Sequence, residues 1–153
     1  MATPLGLTSS NWSYYTIPVA WALCMVPNTY AGVKAGKNFD NTNPRKTEEN
    51  CAKDASLDKV TLRRISRARA ATANGFETLG LYAAAVVAGN AARLPAEQMN
   101  RLTLAYIVSR AVYNYVYIVL QDNRRMATVR SLVWVSGIGI IMSLFVLAGQ
   151  TLS

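Results

Sequence analysis

Four apolar blocks, roughly residues 15–35, 74–92, 99–121 and 128–149, constrain this chain more than anything else in it. An α-helix rises 1.5 Å per residue, so about 20 residues cover a hydrocarbon layer about 30 Å thick. Each block reaches that length, and most of the charge lies between them. An apolar content of 52% over 153 residues would suit a small water-soluble domain only if it were spread at a helical or strand period. The blocks instead predict an all-α membrane protein, a four-transmembrane-helix bundle forming one domain over 1–153, with a basic cytosolic loop at 36–69.

The net charge of +8 raises nucleic acid as a partner, because basic patches bind phosphates by counterion release. The distribution excludes that class. Ten of the 16 Lys and Arg fall between Lys34 and Arg69, three more are Arg124, Arg125 and Arg130, and only Arg93 and Arg101 flank the turn between the second and third blocks. Basic residues beside spans stay cytosolic, so the two basic loops are expected in the cytosol and both termini on the other side. The start of the chain has no basic region followed by a short apolar core and a small-residue cleavage site, which makes the first span its own insertion signal. Histidine is absent, and Cys24 and Cys51 fall in a span and a basic loop. Neither a metal site nor a disulfide framework follows from that inventory.

Trp12, Tyr14 and Tyr15 form an interfacial aromatic anchor before span I, which contains Pro18 and Pro27. A kink near Pro27 is expected where a neighbouring helix satisfies the freed carbonyl. The loop after span I is too polar to enter the bilayer, and from Val60 one long helix runs from the cytosol through span II. Arg93, Leu94 and Pro95 make a tight turn, with Glu97 in the first turn of span III. Gly139 with Ser143, and Ala84 with Ala88 and Ala92, have the small-xxx-small spacing of close helix contacts.

Ionisable residues inside a membrane are costly and are candidates for function. Glu77 and Arg110 are the two clear ones. Arg63, Arg67, Asn74 and Glu77 share one face of the second helix approximately, and Arg110, Tyr113, Tyr117 and Arg124 are spaced by three, four and seven, one seam on a slightly supercoiled helix. A face with two arginines and two phenols suits an anionic ligand or a developing negative charge. The same residues also admit structural roles: Glu77 with Arg110 as an ion pair between spans, the tyrosines as packing, Arg124 and Arg125 as interfacial anchors.

The order Arg67, Asn74, Glu77, then Arg110-x-x-Tyr113-x-x-x-Tyr117 and Arg124 resembles the MAPEG family, the membrane-associated proteins in eicosanoid and glutathione metabolism. The resemblance extends from about Tyr15 to Gly149, and Asn41 to Arg45 resembles the first loop of short fungal microsomal glutathione transferase-like members. It implies a homotrimer in the endoplasmic reticulum membrane, embedded among membrane lipids, that binds glutathione as co-substrate between subunits near the cytosolic face and uses no metal. Asn74, Glu77, Tyr113 and Tyr117 match positions that contact the tripeptide, Arg67 matches a frequently basic position, and Arg110 bridges helices. Arg124 matches the arginine that stabilises the thiolate. This chain has Ala70 where relatives commonly carry a carboxylate-binding arginine, and Gly80 where proline is common. Lys34 and Lys37 are both candidates for the basic residue that ends span I.

The function expected from the resemblance is a glutathione-dependent transferase or peroxidase acting on a lipophilic electrophile. Ala70 motivates an alternative, a glutathione-independent isomerase or cyclase of a lipophilic metabolite. A trimeric scaffold or adaptor that keeps its ion pairs for assembly is the non-enzymatic reading.

Overall fold

The computed structural model describes residues 10–153. Residues 1–9 of the expected single domain lie outside the described residues. Among the described residues there are four long α-helices and one short one, joined by short 3-10 turns: α1 Thr16–Ala35, α2 Thr47–Lys53, α3 Lys59–Ala91, α4 Ala96–Ile118 and α5 Met126–Leu152. The long helices run up and down. One end of the bundle collects the α1–α3 loop and the α4–α5 turn, and is termed the basic end. The other collects the segment before α1, the α3–α4 turn and the end of α5, and is termed the hairpin end.

Local chemistry sets the boundaries of α3. Asp58 caps its start by accepting from the backbone N–H groups of Val60 at 2.8 Å and Thr61 at 3.0 Å. At its far end Leu94 N–H reaches Gly89 O and Arg93 N–H reaches Asn90 O, both at 3.0 Å, which is a Schellman closure. Arg93 occupies the left-handed position of that closure, with φ of 59°. Within α1, Pro27 lacks the N–H that would bond the carbonyl of Leu23, and Asn114 of α4 donates to that oxygen instead at 2.9 Å. The sequence expectation that a neighbour would satisfy the proline is met by a named side chain.

Two cores stack along the bundle. Toward the hairpin end Tyr82, Val86, Met99, Tyr106, Ile141 and Leu144 pack together, with the rings of Tyr82 and Tyr106 stacked at 3.8 Å. Toward the basic end Ala31 and Ala35 of α1 meet Ile65, Ala68 and Ala71 of α3. Small residues let those backbones come close. Among the described residues of the single chain, no other element approaches within 4 Å of a methyl built on Gly139, and Ser143 is exposed. The tight crossings use Gly75 against Cys24, Gly89 against Met99 and Gly137 against Ser109.

Among the described residues one helix, α5, is apolar and long enough to cross a membrane by composition alone, with mean hydropathy 2.2 and only 22% of that window buried. Its outward residues Leu132, Val135 and Val146 are all more than half exposed, and Trp21, Val26 and Val33 of α1 continue the apolar exterior. In water such a surface would be an aggregation patch, whereas in lipid it is the solvated face.

Candidate functional site

The α3 residues Ala70, Ala73, Asn74 and Glu77 recur every three or four positions and so lie on one face. That face, Tyr113 and Tyr117 of α4, and Arg130, Ser131 and Trp134 of α5 line an open groove of about 640 Å³. Arg110 is buried, 6% exposed, and donates from Nη2 to Asn74 Oδ1 at 3.0 Å. Its guanidinium lies 4.6 Å from the centre of the Tyr113 ring. Tyr113 and Tyr117 meet at 5.7 Å with rings tilted by 59°, and the Arg130 guanidinium covers Tyr117 at 4.7 Å. The result is a row of amide, ring, ring and cation along the groove, with the Arg110 cation buried behind the amide and the first ring. Each cation rests on a quadrupole instead of a carboxylate, so its charge is held in place without being neutralised.

Glu77 is exposed and makes no ion pair among the described residues. The pairing with Arg110 weighed from sequence is therefore not formed; Asn74 takes that contact. The groove thus holds a free carboxylate on α3 and a cation on α5, a distribution suited to a ligand with both an amine and an acid group.

Two sequence candidates lie elsewhere. Arg67 donates to Asp122 Oδ1 at 2.8 Å and to the carbonyl of Arg63 at 3.1 Å, outside the groove. Arg124 is exposed in the turn before α5. The seam drawn from Arg110 to Arg124 does not continue as helix, because α4 ends at Ile118 and residues 120–122 form a 3-10 turn. Lys37 pairs with Asp54 at 3.3 Å, and Lys34 lies over Tyr30 at 5.9 Å. Ser56, Asn38 and Lys37 hold the Asp54 carboxyl well below the usual carboxylate range. For Asp122, desolvation works upward, and the hydrogen bonds and charges of Arg67 and Arg63 overcome it, so its carboxyl is lowered. No group of three His, Cys, Asp or Glu among the described residues is placed to hold a metal.

The α5 wall was not singled out from sequence. Arg130 read there as a topology charge, and a helix so apolar offers no stripe to mark its inward face. One signal exists: Arg130 and Trp134 are four residues apart and share a face. The Trp134 indole nitrogen is shielded from solvent and has no hydrogen-bond partner among the described residues.

The model of the MAPEG family matches residues 14–150, nearly the whole chain and every element that builds the groove. The chain belongs to the MAPEG family. MAPEG proteins are integral to membranes, in agreement with the lipid-facing exterior of α1 and α5. No curated protein and no solved structure matches this MAPEG chain significantly.

Proposed function

We propose that this MAPEG protein is a glutathione-dependent transferase or peroxidase, a homotrimer of four-span subunits in the endoplasmic reticulum membrane. The observation that carries the reading is the groove: Asn74, Glu77, Tyr113 and Tyr117 converge on one open cleft, with Arg110 fixing Asn74 from behind. The helices α1, α3, α4 and α5 supply the four spans. The lengths of α1 and α4, 20 and 23 residues, suit a bilayer of about 30 Å.

Glu77 suits the ammonium of glutathione, and the two phenols and the amide of Asn74 suit its peptide groups. The thiol needs activation. A free thiol ionises near pH 8.5, and a guanidinium that lowers it by about two units, or about 2.7 kcal/mol, makes most of it thiolate at neutral pH. Arg124 is the residue proposed for that role. It is exposed in the turn before α5 and outside its own subunit's groove, a placement suited to reaching the groove of a neighbour. In conjugation the thiolate sulfur bonds to the electrophilic carbon, and the displaced group leaves with the electron pair. In peroxidase action the sulfur attacks one peroxide oxygen, the O–O bond breaks and the other oxygen takes up a proton.

One observation favours a second reading, a glutathione-independent isomerase or cyclase. Ala70 leaves the groove without the family's usual carboxylate-binding arginine, and Arg67, one turn back, is engaged by Asp122. The deciding experiment is glutathione binding and conjugation of 1-chloro-2,4-dinitrobenzene by detergent-purified protein, beside Arg124→Ala. Saturable binding in both, with conjugation reduced about 100-fold in the variant, is the expected result. Absence of binding at millimolar glutathione would reject the transferase reading in favour of the isomerase or a scaffold.

A further inference from the structure

Outside the groove, the basic end carries a second polar cavity, of about 300 Å³, lined by Arg63, Ser66, Arg67, Gln121 and Asp122. Three guanidiniums gather around the single carboxylate of Asp122, those of Arg63 and Arg67 from the cavity lining and that of Arg64 from outside it. Asp122 Oδ1 accepts from Arg63 Nε at 3.2 Å and Arg67 Nη2 at 2.8 Å, while Arg64 Nε stands 4.0 Å from Oδ2, too far to bond. One carboxylate neutralises one of three positive charges, so the cluster keeps a surplus of two.

Its hydrogen bonding is also incomplete. Arg64 Nε, a donor, and Gln121 Oε1, an acceptor, are both shielded from solvent and without hydrogen-bond partners among the described residues. Buried polar atoms are normally paired, and two orphans of opposite type beside one charged cavity mark a place for an anion that also carries a hydroxyl. A phosphate monoester has both: oxygens for guanidinium forks and a P–OH in its singly charged form.

The source of that phosphate follows from position. Asp122 lies four residues before Met126, where α5 begins its apolar run, so the cluster sits at the level of lipid headgroups. Arg124 and Arg125 are exposed at the same level and make no ion pair among the described residues. We propose that Arg63, Arg64 and Arg67, with Gln121, form a binding site for the phosphate monoester headgroup of phosphatidate at the basic end of the bundle. The bound phosphate cross-links α3 to the α4–α5 turn from outside, as Asp122 does from within. This site is separate from the groove and does not depend on the transferase reading.

The test is retention of lipid by full-length protein extracted from vesicles of phosphatidylcholine with a minor fraction of phosphatidate, read by native mass spectrometry. Wild type is expected to retain phosphatidate selectively, and R63Q/R64Q to lose that selectivity by about five-fold per arginine. Asp122→Asn removes the competing carboxylate and is expected to retain more phosphatidate than wild type, a gain that misfolding cannot mimic. Equal retention of the two lipids by wild type, unchanged selectivity in R63Q/R64Q, or lower retention in Asp122→Asn would each overturn the site. Displacement of phosphatidate by millimolar inorganic phosphate would support the site and assign it to soluble phosphate esters.

Discussion

The hairpin end and the basic end of the bundle satisfy their polar groups by different means. At the hairpin end the contacts that hold the start of α1 are neutral and reciprocal, and the Arg101–Glu97 ion pair lies apart from them within the first turns of α4. Asn90 accepts from Asn11 at 2.6 Å and donates to Ser13 Oγ at 2.9 Å and to the carbonyl of Val86 at 2.8 Å, while Asn100 joins Trp12 N–H to the carbonyl of Ser10. Amides donate and accept at once, so they close a ring that fixes the start of α1 against the α3–α4 turn. The basic end is charged and open: Glu77 has no cation, Arg110 and Arg130 have rings for partners, and Arg64, Gln121 and Trp134 keep orphaned polar atoms. A network that is complete stabilises a fold, and one that is incomplete retains capacity for a ligand. The proposed function therefore draws on the basic end, and the other end is expected to serve stability.

Arg110→Met separates the two roles most sharply. The substitution keeps much of the apolar volume and removes a buried charge whose partners are an amide and a ring, and such charges seldom stabilise a fold. Thermal unfolding in detergent is expected at the wild-type temperature or above. Glutathione affinity is expected to fall about 30-fold or more, because Asn74 loses a charged hydrogen bond of about 2 kcal/mol that fixes it in the groove. Unfolding at a lower temperature with intact affinity would reverse the assignment.

Asn90→Ala is the mirror experiment. It removes three hydrogen bonds at the hairpin end, at a net cost of about 1–2 kcal/mol. The unfolding transition should move down while kcat/KM for conjugation stays within two-fold of wild type, about the scatter expected of a distant substitution. A fall in kcat/KM matching that of a groove variant would show that the two ends are coupled.

The contrast between the ends was only partly legible in the sequence. Asn74, Glu77, Tyr113 and Tyr117 could be grouped because three- and four-residue spacing fixes a helix face before any packing is known. Arg130 and Trp134 share a face by the same spacing, but α5 is so largely apolar that nothing in the sequence marks that face as the inward one, which its neighbours decide. The tie of Arg67 to Asp122 spans 55 residues and depends on where α4 stops, which local spacing does not report. Glycine spacing is silent on packing within the chain for a related reason: Gly139 has the right period but meets no other element among the described residues, and Gly75, unremarkable in sequence, lies against Cys24.

The smallest effect comes from the turn that closes the hairpin end. Arg93 holds φ at 59°, a conformation in which a side chain is disfavoured by roughly 1–2 kcal/mol and glycine is the usual occupant. The Schellman bonds need only the backbone there, and Arg93 is exposed with no ion pair among the described residues. Arg93→Gly should therefore stabilise the fold by about 0.5–1 kcal/mol, glycine's greater freedom in the unfolded chain offsetting part of the gain. It also removes a positive charge from the end that carries few, which sharpens the charge asymmetry that orients the helices. A raised unfolding temperature with unchanged glutathione binding and phosphatidate retention would mean that this end bears on folding and insertion alone. A loss of either binding activity would show that the turn acts on the basic end through α3, and that the two networks are not independent.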